Sequence, residues 1–99
     1  WLVRTMSTNP AKTFGFADKG TLSPGTDADI VLFDPEAEYT ITAEDLASKV
    51  DFTIYEGMDV TGRVSKTFVR GELVAADGSL VSEPGVGEFV EREIPDWSV

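Results

Sequence analysis

Residues 19–35 read KGTLSPGTDADIVLFDP, a tight turn followed by an apolar run. Pro24-Gly25 is a turn with a mechanism. Proline sets φ at the second turn position, and glycine accepts the positive φ that a type II turn demands next. Asp27-Ala28-Asp29 follows, with carboxylates able to accept hydrogen bonds from nearby backbone N–H groups, as Asx turns do. Ile30-Val31-Leu32-Phe33 is then an apolar, partly β-branched run closed by Asp34-Pro35. A short continuous run bounded by turn signals reads as a strand buried on both faces. The expectation is a tight turn feeding a core strand.

Upstream, residues 1–6 carry apolar side chains at spacings that suit the last turns of a helix already under way. No N-cap precedes them, which predicts further sequence ahead of Trp1. Asn9 is a favoured N-cap and Pro10 a favoured first-turn residue, so a short helix is expected over residues 10–14. Gly15 suits the C′ position that ends it. Phe14 and Phe16 are expected to plug this helix into a core beneath. Ser7 and Thr8 read as capping groups, with no histidine to make either a nucleophile.

Downstream, Glu36-Ala37-Glu38 is a polar connector, and Tyr39-Thr40-Ile41 alternates like a short edge strand. Thr42 with Asp45 resembles a capping box and predicts a single turn within residues 43–48. Residues 51–58, DFTIYEGM, read as a loop that packs its own side chains, with Gly57 in a tight turn. Tyr55 and Glu56 could contact a partner there, packing being the plainer role. Residues 62–69 are a second strand, β-branched and aromatic without clean alternation. Arg70-Gly71-Glu72 reverses it into residues 73–76, and Asp77-Gly78, a strong hairpin signal, turns the chain into residues 79–81. A three-stranded meander results. From Ser82 the chain is an extended tail, and its Phe89, Ile94 and Trp97 need another surface to bury them.

The totals bound the chemistry. A chain of 99 residues is one domain, and its 41% hydrophobic share is that of a globular protein. It has no cysteine, hence no disulfide framework and no thiolate site, which accords with a cytoplasmic protein. It has no histidine either, so it lacks the usual zinc ligand and the side chain best suited to acid–base work near neutral pH. A self-contained Ser-His-Asp or zinc hydrolase is therefore excluded. The net charge of −10, with 18 acidic and 8 scattered basic residues, argues against nucleic acid. The acidity serves solubility, or else adaptation to a high-salt cytoplasm. No dinucleotide-binding, phosphate-loop, zinc-protease or EF-hand motif is present. Asp27 and Asp29 would point the same way in a strand, as metal or acid–base carboxylates can, but turn-fixing is the reading preferred for them. The chain offers no catalytic, cofactor-binding or metal-binding residue to single out.

The combination nevertheless resembles a known family. Ser7-Thr8-Asn9-Pro10-Ala11-Lys12, Phe14-Gly15, the 19–35 stretch, Tyr55-Glu56-Gly57-Met58 and Val69-Arg70-Gly71 with Asp77-Gly78 are similar to the C-terminal portion of a cyclic amidohydrolase. YEGM and the ending Pro84-Gly85-Val86-Gly87-Glu88-Phe89 tilt the resemblance toward the dihydropyrimidinase and D-hydantoinase group, with allantoinases and dihydroorotases as alternatives. It covers residues 1–92; the Trp97 ending and the heavy acidity depart from the pattern.

The resemblance implies a fold that is mainly β with a short N-terminal helical segment, part of a small β-sandwich-like domain attached to a (β/α)₈ barrel. Residues 1–18 would be the end of the last barrel helix and the helix leaving it. Residues 19–83 would supply C-terminal strands of the sandwich, and residues 84–99 an extended tail that reaches a neighbouring subunit. The implied partners are the rest of the polypeptide and further copies of it, with neither nucleic acid nor membrane. The implied cofactor is binuclear zinc held upstream, by residues with no counterpart in this chain.

Overall fold

The computed structural model describes residues 1–95. Residues 2–14 form one continuous helical stretch, a π-helical turn Arg4–Thr8 running into helix α1, Asn9–Phe14. Asn9 N–H donates to Arg4 O, five residues back. This wide turn lies immediately before Pro10, whose missing N–H and bulky ring would break an ordinary α ladder. Asn9 is therefore not an N-cap as expected: its φ of −67° and ψ of −45° are helical, and the helix passes through it. Thr8 makes no cap either; its hydroxyl donates to Gly20 O at 2.9 Å, tying the helix to the chain that follows. Gly15 does end the helix, at φ 78°. Phe16 N–H donates to Ala11 O and Gly15 N–H to Lys12 O, the paired bonds of a Schellman motif.

The strands are β1 (Ile30–Thr40), β2 (Asp59–Val69), β3 (Glu72–Ala76) and β4 (Ser79–Leu80), in one antiparallel sheet of order β1-β2-β3-β4. Both hairpin turns form where expected. Arg70 and Gly71 take φ of 48° and 80°, Asp77 and Gly78 φ of 50° and 84°, the left-handed pairs that a two-residue type I′ connection needs. The three-stranded meander is thus present, and β1 enlarges it to four by pairing with β2.

Two expectations about β1 are corrected. It does not stop at Pro35 but continues to Thr40, absorbing the supposed connector and edge strand. The register slips between Asp34 and Glu38, where Asp34 Oδ1 accepts Glu36 N–H at 2.9 Å. Proline lacks a ladder donor, and an edge strand tolerates it at such a bulge. Nor is the apolar run buried on both faces: Val31 is 55% and Phe33 57% exposed, and no helix of the described residues packs on the sheet. The second layer of a sandwich is not supplied by these residues.

The same shortfall recurs elsewhere. Phe14 is exposed rather than plugged into a core, and Phe16 is only half-covered. The loop does not pack its own side chains, since Phe52, Ile54, Tyr55 and Met58 are all exposed. Ala11 is the buried apolar residue of the described chain. No helix among the described residues is long and apolar enough to cross a membrane. Phe89 and Ile94 are 91% and 96% exposed, without the surface they call for, and Trp97 lies outside the described residues.

Candidate functional site

The polar groups converge at the junction of helix exit and sheet. Ser23 O accepts Thr26 N–H at 3.1 Å around Pro24-Gly25, with Gly25 at φ 94° as the third position of a type II turn requires. Asp27 N–H donates to Asp18 O and Asp29 N–H to Asp27 O, each at 2.9 Å. Lys19 Nζ then sits between the two carboxylates, 2.7 Å from Asp27 Oδ2 and 2.5 Å from Asp29 Oδ2. The other oxygen of Asp29 accepts Arg70 N–H at 2.9 Å, and Ala28 O accepts Gly71 N–H at 2.9 Å. One tight turn thus docks on another.

The electrostatics follow. Hydrogen bonds first to Asp27 and then to Asp29 hold the Lys19 ammonium above the ordinary lysine range. The bond from Lys19, followed by the one from the Arg70 amide, holds Asp29 below the ordinary carboxylate range. Both shifts favour the charged forms, the reverse of what a general acid or base near neutral pH needs. Asp29 does fix a turn, the distant one at Arg70-Gly71 and not its own, whereas Asp27 is held through Lys19. Lys19 and the Arg70 amide, the partners that hold them, were not singled out; a lysine just ahead of a Pro-Gly turn with two acids behind it was the available signal. The ammonium also occupies the point where a cation would have to sit. Neither His nor Cys occurs in the sequence, and no group of three or more His, Cys, Asp or Glu among the described residues could hold a metal ion. The donor set does not fit the zinc centre that the family resemblance implies.

The loop holds a second polar arrangement. Ala43 N–H donates to a Glu56 carboxylate oxygen at 2.7 Å, so Glu56 anchors the 3₁₀ turn Ala43–Asp45. Thr42 and Asp45 bond through their side chains at 2.6 Å, in place of the backbone bonds of a capping box. Tyr55 remains exposed beside Gly57, whose N–H donates to Ile41 O at 2.9 Å.

The chain also presents many uncovered apolar side chains. Its accessible area is 8289 Å², against roughly 5,500 Å² for a folded chain of this mass. Its radius of gyration is 16.0 Å, against about 13 Å for a compact domain of this length. The excess area, roughly 2,800 Å², is on the scale of an obligate interface. Trp1, Leu2 and Met6 on the helix, Val31 and Phe33 on β1, and Phe52 in the loop contribute to it.

A model described as the Amidohydrolase family matches residues 2–74. The chain belongs to the amidohydrolase family. Within that family it is similar to the D-hydantoinase of Ralstonia pickettii, 44% identical over 91 residues, which are 91% of this chain and 20% of that protein. It is also similar to the dihydroorotase of Pyrococcus horikoshii, 40% identical over 92 residues, 93% of this chain and 22% of that protein. The structure superposes on the dihydropyrimidinase of Brevibacillus agri NCHU1002 with a TM-score of 0.88 at 42% identity, covering 95% of this chain and 21% of that one. The chain thus spans about a fifth of the length of these amidohydrolase relatives.

Proposed function

We propose that this chain is the C-terminal, non-catalytic part of a zinc-dependent cyclic amidohydrolase that opens hydantoin or dihydropyrimidine rings. Its own work is structural. Residues 1–18 close the barrel and leave it, residues 19–83 complete a small β-sandwich, and residues 84–99 form a tail that contacts further copies of the enzyme. The observation that carries this reading is the uncovered apolar surface on a chain matching one fifth of its relatives. Such faces fit a layer that the remaining polypeptide covers. The binuclear zinc and the groups that hold it belong, in this reading, to that remaining polypeptide.

A free-standing β-rich interaction module is the competing reading. It would have to cover its own apolar faces and protect its sheet edges, and β1 is a long edge strand beside exposed aromatic side chains. Dihydroorotase and allantoinase relatives remain the alternatives for the substrate.

Ring opening assayed on the intact polypeptide and on residues 1–99 alone tests the proposal. Zinc-loaded intact polypeptide is expected to hydrolyse hydantoin or dihydrouracil, and residues 1–99 to hydrolyse neither. Metal-dependent turnover by residues 1–99 alone would sink the non-catalytic assignment. Turnover of dihydroorotate or allantoin, without hydantoin or dihydrouracil, would move the substrate to the alternatives.

A further inference from the structure

β1 and β2 pair from Ile30–Phe68 at one end to Thr40–Asp59 at the other. The first end adjoins the helix exit, where Asp29 accepts Arg70 N–H. At the other end residues 41–58 connect the two strands. The 11 residues of β1, at about 3.3 Å each and with a bulge, hold that loop roughly 30 Å from the helix exit. Its backbone is settled. Ile41 N–H donates to Met58 O and Gly57 N–H to Ile41 O, each at 2.9 Å, Met58 N–H to Tyr55 O at 3.0 Å, and Ala43 N–H to Glu56 at 2.7 Å. Yet Phe52 is 67% and Ile54 82% exposed, with Tyr55 and Met58 open beside them. A long connection with fixed backbone and outward apolar side chains has the character of a functional loop.

We propose that residues 50–58 are a second docking foot, seating Phe52 and Ile54 against the same body of the polypeptide that receives the helix. The proposal rests on the reading of this chain as part of a longer amidohydrolase. The 91 matched residues are 20% of the Ralstonia pickettii D-hydantoinase, so roughly 350 residues of such a protein lie beyond a chain of this size, and a compact body of them is about 50 Å across. That width reaches the helix and the loop together. Because the loop backbone is already fixed, docking has few further groups to order. A second copy is the poorer occupant. A symmetric contact would set Glu44, Asp45, Asp51 and Glu56 of one loop against the same acids of the other, with Lys49 alone to offset them.

Oxidative labelling of side chains in the intact polypeptide, at concentrations spanning the dissociation of any oligomer, tests the foot. Phe52 and Met58 are expected to label about fivefold or more slowly than in the urea-unfolded polypeptide, at every concentration. Left uncovered, at 67% and 50% exposure, they would label within about twofold of it. Ile54→Glu should raise labelling at both about threefold while leaving the sedimentation of the polypeptide unchanged. Labelling at the uncovered rate would overturn the proposal, as would rates that Ile54→Glu leaves unaltered. Protection that vanishes on dilution would overturn it too, in favour of a second copy. Ring opening is measured on the same sample. A polypeptide that opens hydantoin while its loop labels freely overturns the foot alone, and a protected loop without ring opening overturns the proposed activity alone.

Discussion

The junction around Asp27, Asp29 and Arg70 and the apolar faces that flank it are finished to different degrees. At the junction every bond finds its partner inside 99 residues: lysine between two aspartates, one tight turn clasping another. Among the described residues no buried side-chain polar atom lacks a partner. On the faces, Trp1, Val31, Phe33 and Phe52 stand open to solvent. Hydrogen bonding is short-ranged and directional, so a few residues that two turns bring together can complete it, even 41 positions apart. Hydrophobic burial needs area from a second layer, and the described residues supply none. A segment can thus have settled local geometry while most of its folding free energy depends on contacts it does not itself provide.

The largest expected effect follows from that difference. Residues 1–99 produced alone should show no single cooperative melting transition, should bind a hydrophobic dye and should self-associate, whereas the longer polypeptide of the proposal should melt cooperatively. Differential scanning calorimetry with analytical ultracentrifugation reads this directly. A sharp, monomeric transition from the isolated chain would mean that its faces are not in want of a partner, and would favour the free-standing module.

Two left-handed glycines allow a finer test, because one lies under the tail and the other in open solvent. At Gly15 a side chain meets both a positive φ and the Glu93 carbonyl 2.0 Å away. Gly15→Ala should cost about 2–4 kcal/mol, strain and overpacking together. Gly25 has nothing within 4 Å of an added Cβ, so Gly25→Val should cost about 1–3 kcal/mol, from backbone strain alone. Urea midpoints of the intact polypeptide measure both. Equal costs would show that the tail does not press on the helix end, and an unaltered Gly25→Val midpoint would show that the turn tolerates a side chain.

Much of the architecture was legible in the sequence wherever local chemistry decides it. Pro24-Gly25, Arg70-Gly71, Asp77-Gly78 and the Gly15 helix end are all positions where few residues fit the backbone, and all four are found as read. The misreadings arose where distant contacts decide. Asn9-Pro10 looks like a helix start, yet the wide turn before it lets the helix run through. Ile30-Val31-Leu32-Phe33 has the composition of a doubly covered strand, but composition cannot supply the layers that do the covering. Glu56 was missed as an anchor because its partner, Ala43, lies 13 residues away. At such separations only the folded chain sets the distance.

The smallest predicted effect concerns the junction itself. Asp29 is held below the ordinary carboxylate range, chiefly by the bond from Lys19 and then by the Arg70 amide. A carboxyl whose folded value lies below its unfolded one adds stability above the unfolded value, and that stability is lost as pH falls through the folded one. The contribution should therefore be complete above pH 3.8 and should fade below it. Lys19 is shifted upward, first by Asp27 and then by Asp29, so its contribution is complete below pH 10.5 and is lost as pH rises beyond it. Both carboxylates are more than a third exposed, which limits the gain to about 1 kcal/mol or less. Asp29→Asn keeps an oxygen for the Arg70 amide and removes the charge facing Lys19. The stability gap between this variant and the unsubstituted protein, measured by urea titration from acid to neutral pH, should open as pH rises through 3.8 and then stay level. A gap independent of pH would assign the effect to the shape of the turn and not to its charge.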